Sequence, residues 1–123
     1  MTRSAPTNMS AKELVDRFLA IALAQDEALL NDEYAKYNRL YEEMDLVKVE
    51  LKSRKGDQRR LLLPLLQHPN AQVRLKAGIA TLAIDRAAAL ATLQRISDQN
   101  EYPQAANARG MIEAVAEGSY KPS

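Results

Sequence analysis

The sequence predicts an all-α domain, on three observations. Ala and Leu are abundant while Val, Ile, Phe and Thr are sparse, and β-branched and aromatic side chains are the ones that lose rotamer freedom in a helix. Apolar residues recur at three- and four-residue spacing over most of the chain, which places them on one side of a 3.6-residue helix. Start and stop signals, such as Ser10 with Glu13, His68-Pro69-Asn70 and Gly118, are spaced at helical lengths. No strand is predicted. At 123 residues, with 46 % apolar and 27 % charged residues and only 4 Gly, the chain has the size of one domain and neither a disordered nor a low-complexity composition.

The elements follow in order. Residues 1–9 read as a loose arm, because Pro6 and small polar residues supply little apolar surface to order them. The domain is predicted over residues 10–118. Ser10 and Glu13 form a capping box, hydroxyl and carboxylate each satisfying a backbone N–H at a helix start. The first helix then places Leu14, Phe18, Ile21, Ala22, Ala28 and Leu29 on its core side. Asn31 and Asp32 offer a second capping point. The second helix carries Tyr34, Tyr37, Tyr41, Met44 and Leu51 to about Ser53, which makes it the longest predicted, at ~30 to 36 Å. Gly56 supplies a stop and Asp57 a fresh N-cap.

Beyond Asp57 the predicted helices are short and paired. One runs from Arg59 to Leu66 and ends at His68-Pro69-Asn70; its partner runs from Ala71 to Ile84, apolar at Val73, Ala77, Ala80 and Ile84. Asp85 opens the next pair, from Ala87 to Ile96 and from Gln104 to Ala116, and Gly118 stops it, leaving residues 119–123 as a tail. Setting Ala71-Gln72-Val73 against Pro103-Gln104-Ala105 gives an offset of 32 residues that also brings Gly78 onto Gly110, a self-similarity of the repeat kind.

The segment Leu62-Leu63-Pro64-Leu65-Leu66, then His68-Pro69-Asn70-Ala71-Gln72-Val73-Arg74, Ala77 and Leu82 resembles a HEAT repeat: a leucine-rich helix, a proline turn and a Val-Arg opening the second helix. The layout of two longer N-terminal helices, two such hairpins and a terminal Gly is similar to the bacterial family known as domain of unknown function 2019. The resemblance implies an α-α superhelix, a right-handed stack of hairpins whose second helices line a concave face. It implies no activity. Two positions depart from the pattern: no acidic residue precedes Val73-Arg74, and the final helix, Glu113-Ala114-Val115-Ala116-Glu117-Gly118, lacks an aromatic.

Several chemistries are disfavoured. Without cysteine there is no disulfide, thiolate nucleophile or sulfur-ligated metal, and a reducing cytoplasm is the expected compartment. Asp16 and Arg17 interrupt the apolar stretch from Leu14 to Ala24, so it is no signal peptide, and nothing is long enough to span a bilayer. His68 is the single histidine and reads as a turn residue, since acid–base catalysis needs a constellation of groups. No Glu-x-x-His pairs support a metal site, no Gly-rich loop holds phosphate, and no cofactor is expected. The carboxylates Glu42, Glu43 and Asp45 read as a solvated face. An enzyme would be an unconventional one built on carboxylates.

Binding is the remaining class. Residues 1–47 hold five basic and nine acidic groups, residues 48–86 nine and three, and residues 87–123 three and four, so the middle is basic although the net charge is +1. Tyr34, Tyr37 and Tyr41 form one stripe and are read as core, with a partner or a second copy covering the long second helix as the alternative. The leading expectation is a protein-binding module presenting Arg74, Lys76, Thr81, Asn107 and Arg109 on its second helices, possible roles being regulation or immunity-type neutralisation of one partner. The alternative is nucleic-acid binding through the surface from Lys48 to Lys76, chiefly Lys52, Arg54, Lys55, Arg59 and Arg60.

Overall fold

The computed structural model describes residues 5–123, and those residues hold helices and no strand. They divide into two compact units, the first ending at Leu61 and the second spanning Leu62–Ser123.

The first unit is a helical hairpin. Its α1 (Ala11–Leu30) begins on the predicted capping box: Glu13 N donates to Ser10 Oγ at 3.1 Å and Ser10 N to Glu13 Oε1 at 2.9 Å. The predicted first turn thus satisfies two of its own donors. Asn31 ends α1, Asp32 takes a positive φ of 56°, which Asp tolerates better than most residues, and α2 (Tyr34–Ser53) returns alongside α1 with Glu33, not Asn31 or Asp32, at its N-cap and no side chain capping it. Both helices have 20 residues, so α2 is not longer than its neighbour. Within the predicted arm, Pro6–Asn8 forms a 3-10 turn, Met9 is buried, and Arg54 donates from Nη2 to Pro6 O at 3.1 Å. That side chain holds residues the composition left loose; residues 1–4 of the arm lie outside the described residues.

The tyrosines are not core. Leu40, Met44, Val47 and Leu51 are the buried line of α2, whereas Tyr34 and Tyr41 are 63 % and 56 % exposed and Tyr37 is half-buried. At 100° per residue the exposed tyrosines stand about a quarter turn from the buried line. Two apolar stripes share this helix, and packing selected the aliphatic one.

A 3-10 helix, Gln58–Gln67, continues the chain into the second unit. The sequence predicts a short helix here, without its tighter winding; Pro64 within it lacks an N–H and disfavours α geometry at Leu63. In the second unit Asn70 caps α3 (Ala71–Ala80), its Oδ1 accepting from Gln72 N at 2.9 Å and Val73 N at 3.1 Å. α3 stops four residues before Ile84, where Thr81 becomes its C-cap. Asp85 caps α4 (Arg86–Asp98) through Ala88 N, and Gly118, at φ 78°, ends α5 (Gln104–Glu117). α4 packs against both α3 and α5, and α3 also touches α5. Leu75, Leu82, Leu93, Ile96, Ala105 and Ala108 make the core of this three-helix stack.

Candidate protein-binding surface

The residues predicted to line a concave face are mostly part of the scaffold. Thr81 is fully buried and its Oγ1 donates to Ala77 O at 2.8 Å, bonding back onto its own helix. Lys76 is 7 % exposed. Arg74 is half-buried and forks onto Glu101, Nη1 to Oε2 at 2.8 Å and Nη2 to Oε1 at 2.7 Å, while Nε donates to His68 O at 2.8 Å and Nη2 to Pro69 O at 3.2 Å. One guanidinium therefore ties the turn before α3 to the turn before α5. The hydrogen bonds to Glu101 raise the Arg74 pKa, and the same bonds lower that of Glu101.

Arg109 does the equivalent work for the turn after α4. Its Nε donates to Ser97 Oγ and its Nη2 to Ser97 O and Asn100 Oδ1, each at 2.8 Å, and its Nη1 donates to the Tyr102 hydroxyl. Its Cζ also lies 5.3 Å from the Tyr102 ring centroid, within cation–π range. Of the five residues only Asn107 is exposed without such a structural bond.

The basic segment is divided as well. Arg54 pairs with Glu50 at 2.9 Å besides reaching Pro6, and Arg59 pairs with Asp57 through Nε at 2.9 Å and Nη2 at 2.7 Å. The Arg59 hydrogen bond is the main cause that holds the Asp57 carboxyl below its ordinary range. Lys52, Lys55 and Arg60 are exposed. His68 accepts from Asn70 N through Nδ1 at 3.0 Å, a turn contact as predicted. Glu42 and Asp45 are exposed and Glu43 is half-buried. Among the described residues no group of three or more His, Cys, Asp or Glu is placed to hold a metal ion, and no helix is long and apolar enough to cross a membrane.

The surface that the sequence reading gave as its alternative, a partner or second copy on the second helix, lies on the hairpin of the first unit, and four of its apolar residues, Leu23, Leu30, Leu46 and Val49, were not singled out. Of the eight large apolar side chains exposed among the described residues, six fall between Leu23 and Val49: Leu23, Leu30, Tyr34, Tyr41, Leu46 and Val49. Leu30 is 78 % exposed at the hairpin tip, next to Tyr34, whose hydroxyl donates to Asp32 Oδ1 at 3.0 Å. That bond and the nearby carboxylate raise the Tyr34 pKa. A recess of about 200 Å³ on the same hairpin is lined by Arg17, Ala20, Ile21, Ala24 and Leu40. The available signal was apolar residues at Leu23, Leu30, Leu46 and Val49, on the sides of α1 and α2 that their own buried lines leave to solvent.

No curated protein matches this chain. A crystal structure of the protein RPA1889 from Rhodopseudomonas palustris CGA009 is similar over 98 % of this chain and 100 % of that one, at 36 % sequence identity and a TM-score of 0.94. A family model described as a domain of unknown function, DUF2019, matches residues 12–116. The chain belongs to the DUF2019 family.

Proposed function

We propose that this protein is a HEAT-like helical scaffold that acts without catalysis, by binding another protein through the exposed apolar side chains of α1 and α2. The observation that carries the reading is that six of the eight exposed large apolar side chains belong to one hairpin, exposed apolar surface being what interaction sites are built from. Aromatic anchors such as Tyr34 and Tyr41 are the type that dominates binding energy at protein interfaces. The HEAT-like part of the reading is supported by the 32-residue correspondence: Gln104 Nε2 donates to Gln72 Oε1 at 3.0 Å, so equivalent residues of two successive hairpins touch. Arg74, the arginine of the Val-Arg pair, braces the following turn. A regulator or neutraliser of a single partner suits a scaffold of this size.

The test is affinity capture from the source cell's lysate, with and without nuclease, comparing the natural protein with a Leu30→Asp, Tyr34→Ser variant. A stoichiometric protein that survives nuclease and is lost with the variant is the expected result. Retention only of species released by nuclease would overturn it in favour of nucleic-acid binding, whose cations would be Lys52, Lys55 and Arg60.

A further inference from the structure

The tip of the first hairpin is acidic as well as apolar. From Phe18 to Ala35 the chain holds four carboxylates, Asp26, Glu27, Asp32 and Glu33, and no Lys or Arg; Glu27, Asp32 and Glu33 are exposed. On α1, Leu23, Glu27 and Leu30 follow one another at spacings of four and three residues, and all three are exposed. At 100° per residue they stand within about 60° of arc, on the side opposite the buried line marked by Leu14, Phe18 and Ala28, over ~10 Å of rise. The chain then folds back over the end of this helix, Asp32 N donating to Leu29 O at 3.3 Å and Glu33 N to Ala28 O at 2.8 Å, which sets both tip carboxylates close to Leu30. We propose, resting on the protein-binding reading above, that this strip takes a basic amphipathic helix of a partner protein. Its apolar side chains would sit on Leu23, Leu30 and Tyr34, and its Lys or Arg side chains would meet Glu27, Asp32 and Glu33.

Charge decides the class of partner. Asp32 accepts from the Tyr34 hydroxyl at 3.0 Å and Glu33 from Asn31 Nδ2 at 3.5 Å. Both donors are neutral, so neither bond cancels a charge, whereas Glu50, Asp57 and Glu101 each face an arginine. Asp32 and Glu33 suit the start of α2, where the helix dipole favours anions, but Glu27 lies in the last turn of α1, which holds no basic residue and whose carbonyl end disfavours a carboxylate. Glu27 thus works against its own helix, and a cation supplied from outside relieves it. A surface of one sign attracts a partner of the other and repels a phosphate backbone or an anionic membrane. The exposed pair Leu46 and Val49 lacks this bias, because Arg39 and Lys52 are exposed on the same helix as well as Glu42 and Asp45. The bond from Tyr34 to Asp32 also holds that ring before association, which lowers the entropy lost on binding. So short a strip makes a small interface and a transient complex, with Kd on the order of 10 to 100 µM.

The probes are two synthetic peptides of ~18 residues with Leu at helical spacing, one carrying Lys at the flanking positions and the other Glu. With the full chain labelled with nitrogen-15, the Lys peptide is expected to shift the amide signals of residues 23–34 saturably and the Glu peptide to leave them in place. Affinity is expected to fall about five-fold or more between about 50 and 300 mM salt. Glu27→Lys is expected to weaken binding about ten-fold or more and Glu27→Gln about three-fold, with urea midpoints equal to or above that of the natural protein, since both changes suit the end of α1. The proposal is overturned by equal binding of the two peptides, by shifts centred on residues 42–49, or by binding indifferent to Glu27→Lys. Self-association through residues 23–34 with no peptide binding would also overturn it, the occupant then being a second copy. In the lysate capture, a stoichiometric protein lost with Leu30→Asp, Tyr34→Ser but retained in full by Glu27→Lys overturns this proposal and leaves protein binding standing, whereas retention only of species released by nuclease overturns both.

Discussion

Arg74 and Glu101, 27 residues apart in the chain, form a bidentate ion pair in the second unit, with side chains 17 % and 26 % exposed. Two parallel N–H to carboxylate bonds, plus the two carbonyls of His68 and Pro69, load a single guanidinium with four acceptor atoms. Arg74→Ala removes all of these at once, and partial exposure lets water replace some of them. The expected cost is ~1 to 3 kcal/mol in urea unfolding. The same bonds depress the Glu101 pKa below its ordinary value of 4.5. A carboxylate whose pKa is lower in the folded state contributes stability that is present above the unfolded value and lost as pH falls through the folded one. Thermal melting should therefore fall off below about pH 4.5 more steeply in the natural protein than in Glu101→Gln. Equal acid limbs in the two proteins would show that the pair contributes nothing net.

The two helices related by the 32-residue offset differ in what covers them, and that difference sets how substitutions act. A Cβ on Gly78 would lie 3.1 Å from Leu93 Cδ2 and 3.7 Å from Ala89 O, so α4 approaches α3 closely there. A Cβ on Gly110 meets nothing within 4 Å. Gly78→Val is expected to cost ~1 to 3 kcal/mol by overpacking, whereas Gly110→Ala is expected to gain ~0.5 to 1 kcal/mol by removing a flexible residue from a helix interior. Asn107 stands where the offset places buried Leu75, giving α5 a polar outer position of the kind that ends a helical stack. Between the helices, Gln72 and Gln104 are almost wholly buried. Gln72→Leu removes the acceptor of a buried amide N–H and should cost ~1 to 3 kcal/mol, with Gln72→Leu, Gln104→Leu less costly than the sum of the single changes. A strictly additive double-mutant cycle would show that the amide contact is not coupled.

At the scale of the whole chain, a net charge of +1 and a pI of about 8.0 leave little repulsion between molecules near pH 8. Turbidity at high concentration should peak near pH 8 and clear toward pH 6; a maximum elsewhere would indicate that local charge patterning outweighs net charge. The sequence by itself determined the helical class and the ends of most helices. Ser10 with Glu13, Asn70, Asp85 and Gly118 each act on backbone groups within a few residues, so their effect is complete in local sequence. At Gln58–Gln67 the sequence indicated a helix but not its 3-10 winding, Pro64 removing only its own N–H and constraining only Leu63. Tertiary structure decided which apolar stripe of α2 is buried, because Leu40-Met44-Val47-Leu51 and the tyrosine row both satisfy helical spacing and only packing against another element distinguishes them. It also decided that Arg74 and Arg109 brace turns and that Thr81 is buried, since Arg74's acidic partner is 27 residues away and the burial of Thr81 depends on neighbours brought in by folding. Capping is a short-range contest for hydrogen bonds, whereas burial is set by residues distant in the chain, and the candidate surface is what those distant contacts leave uncovered.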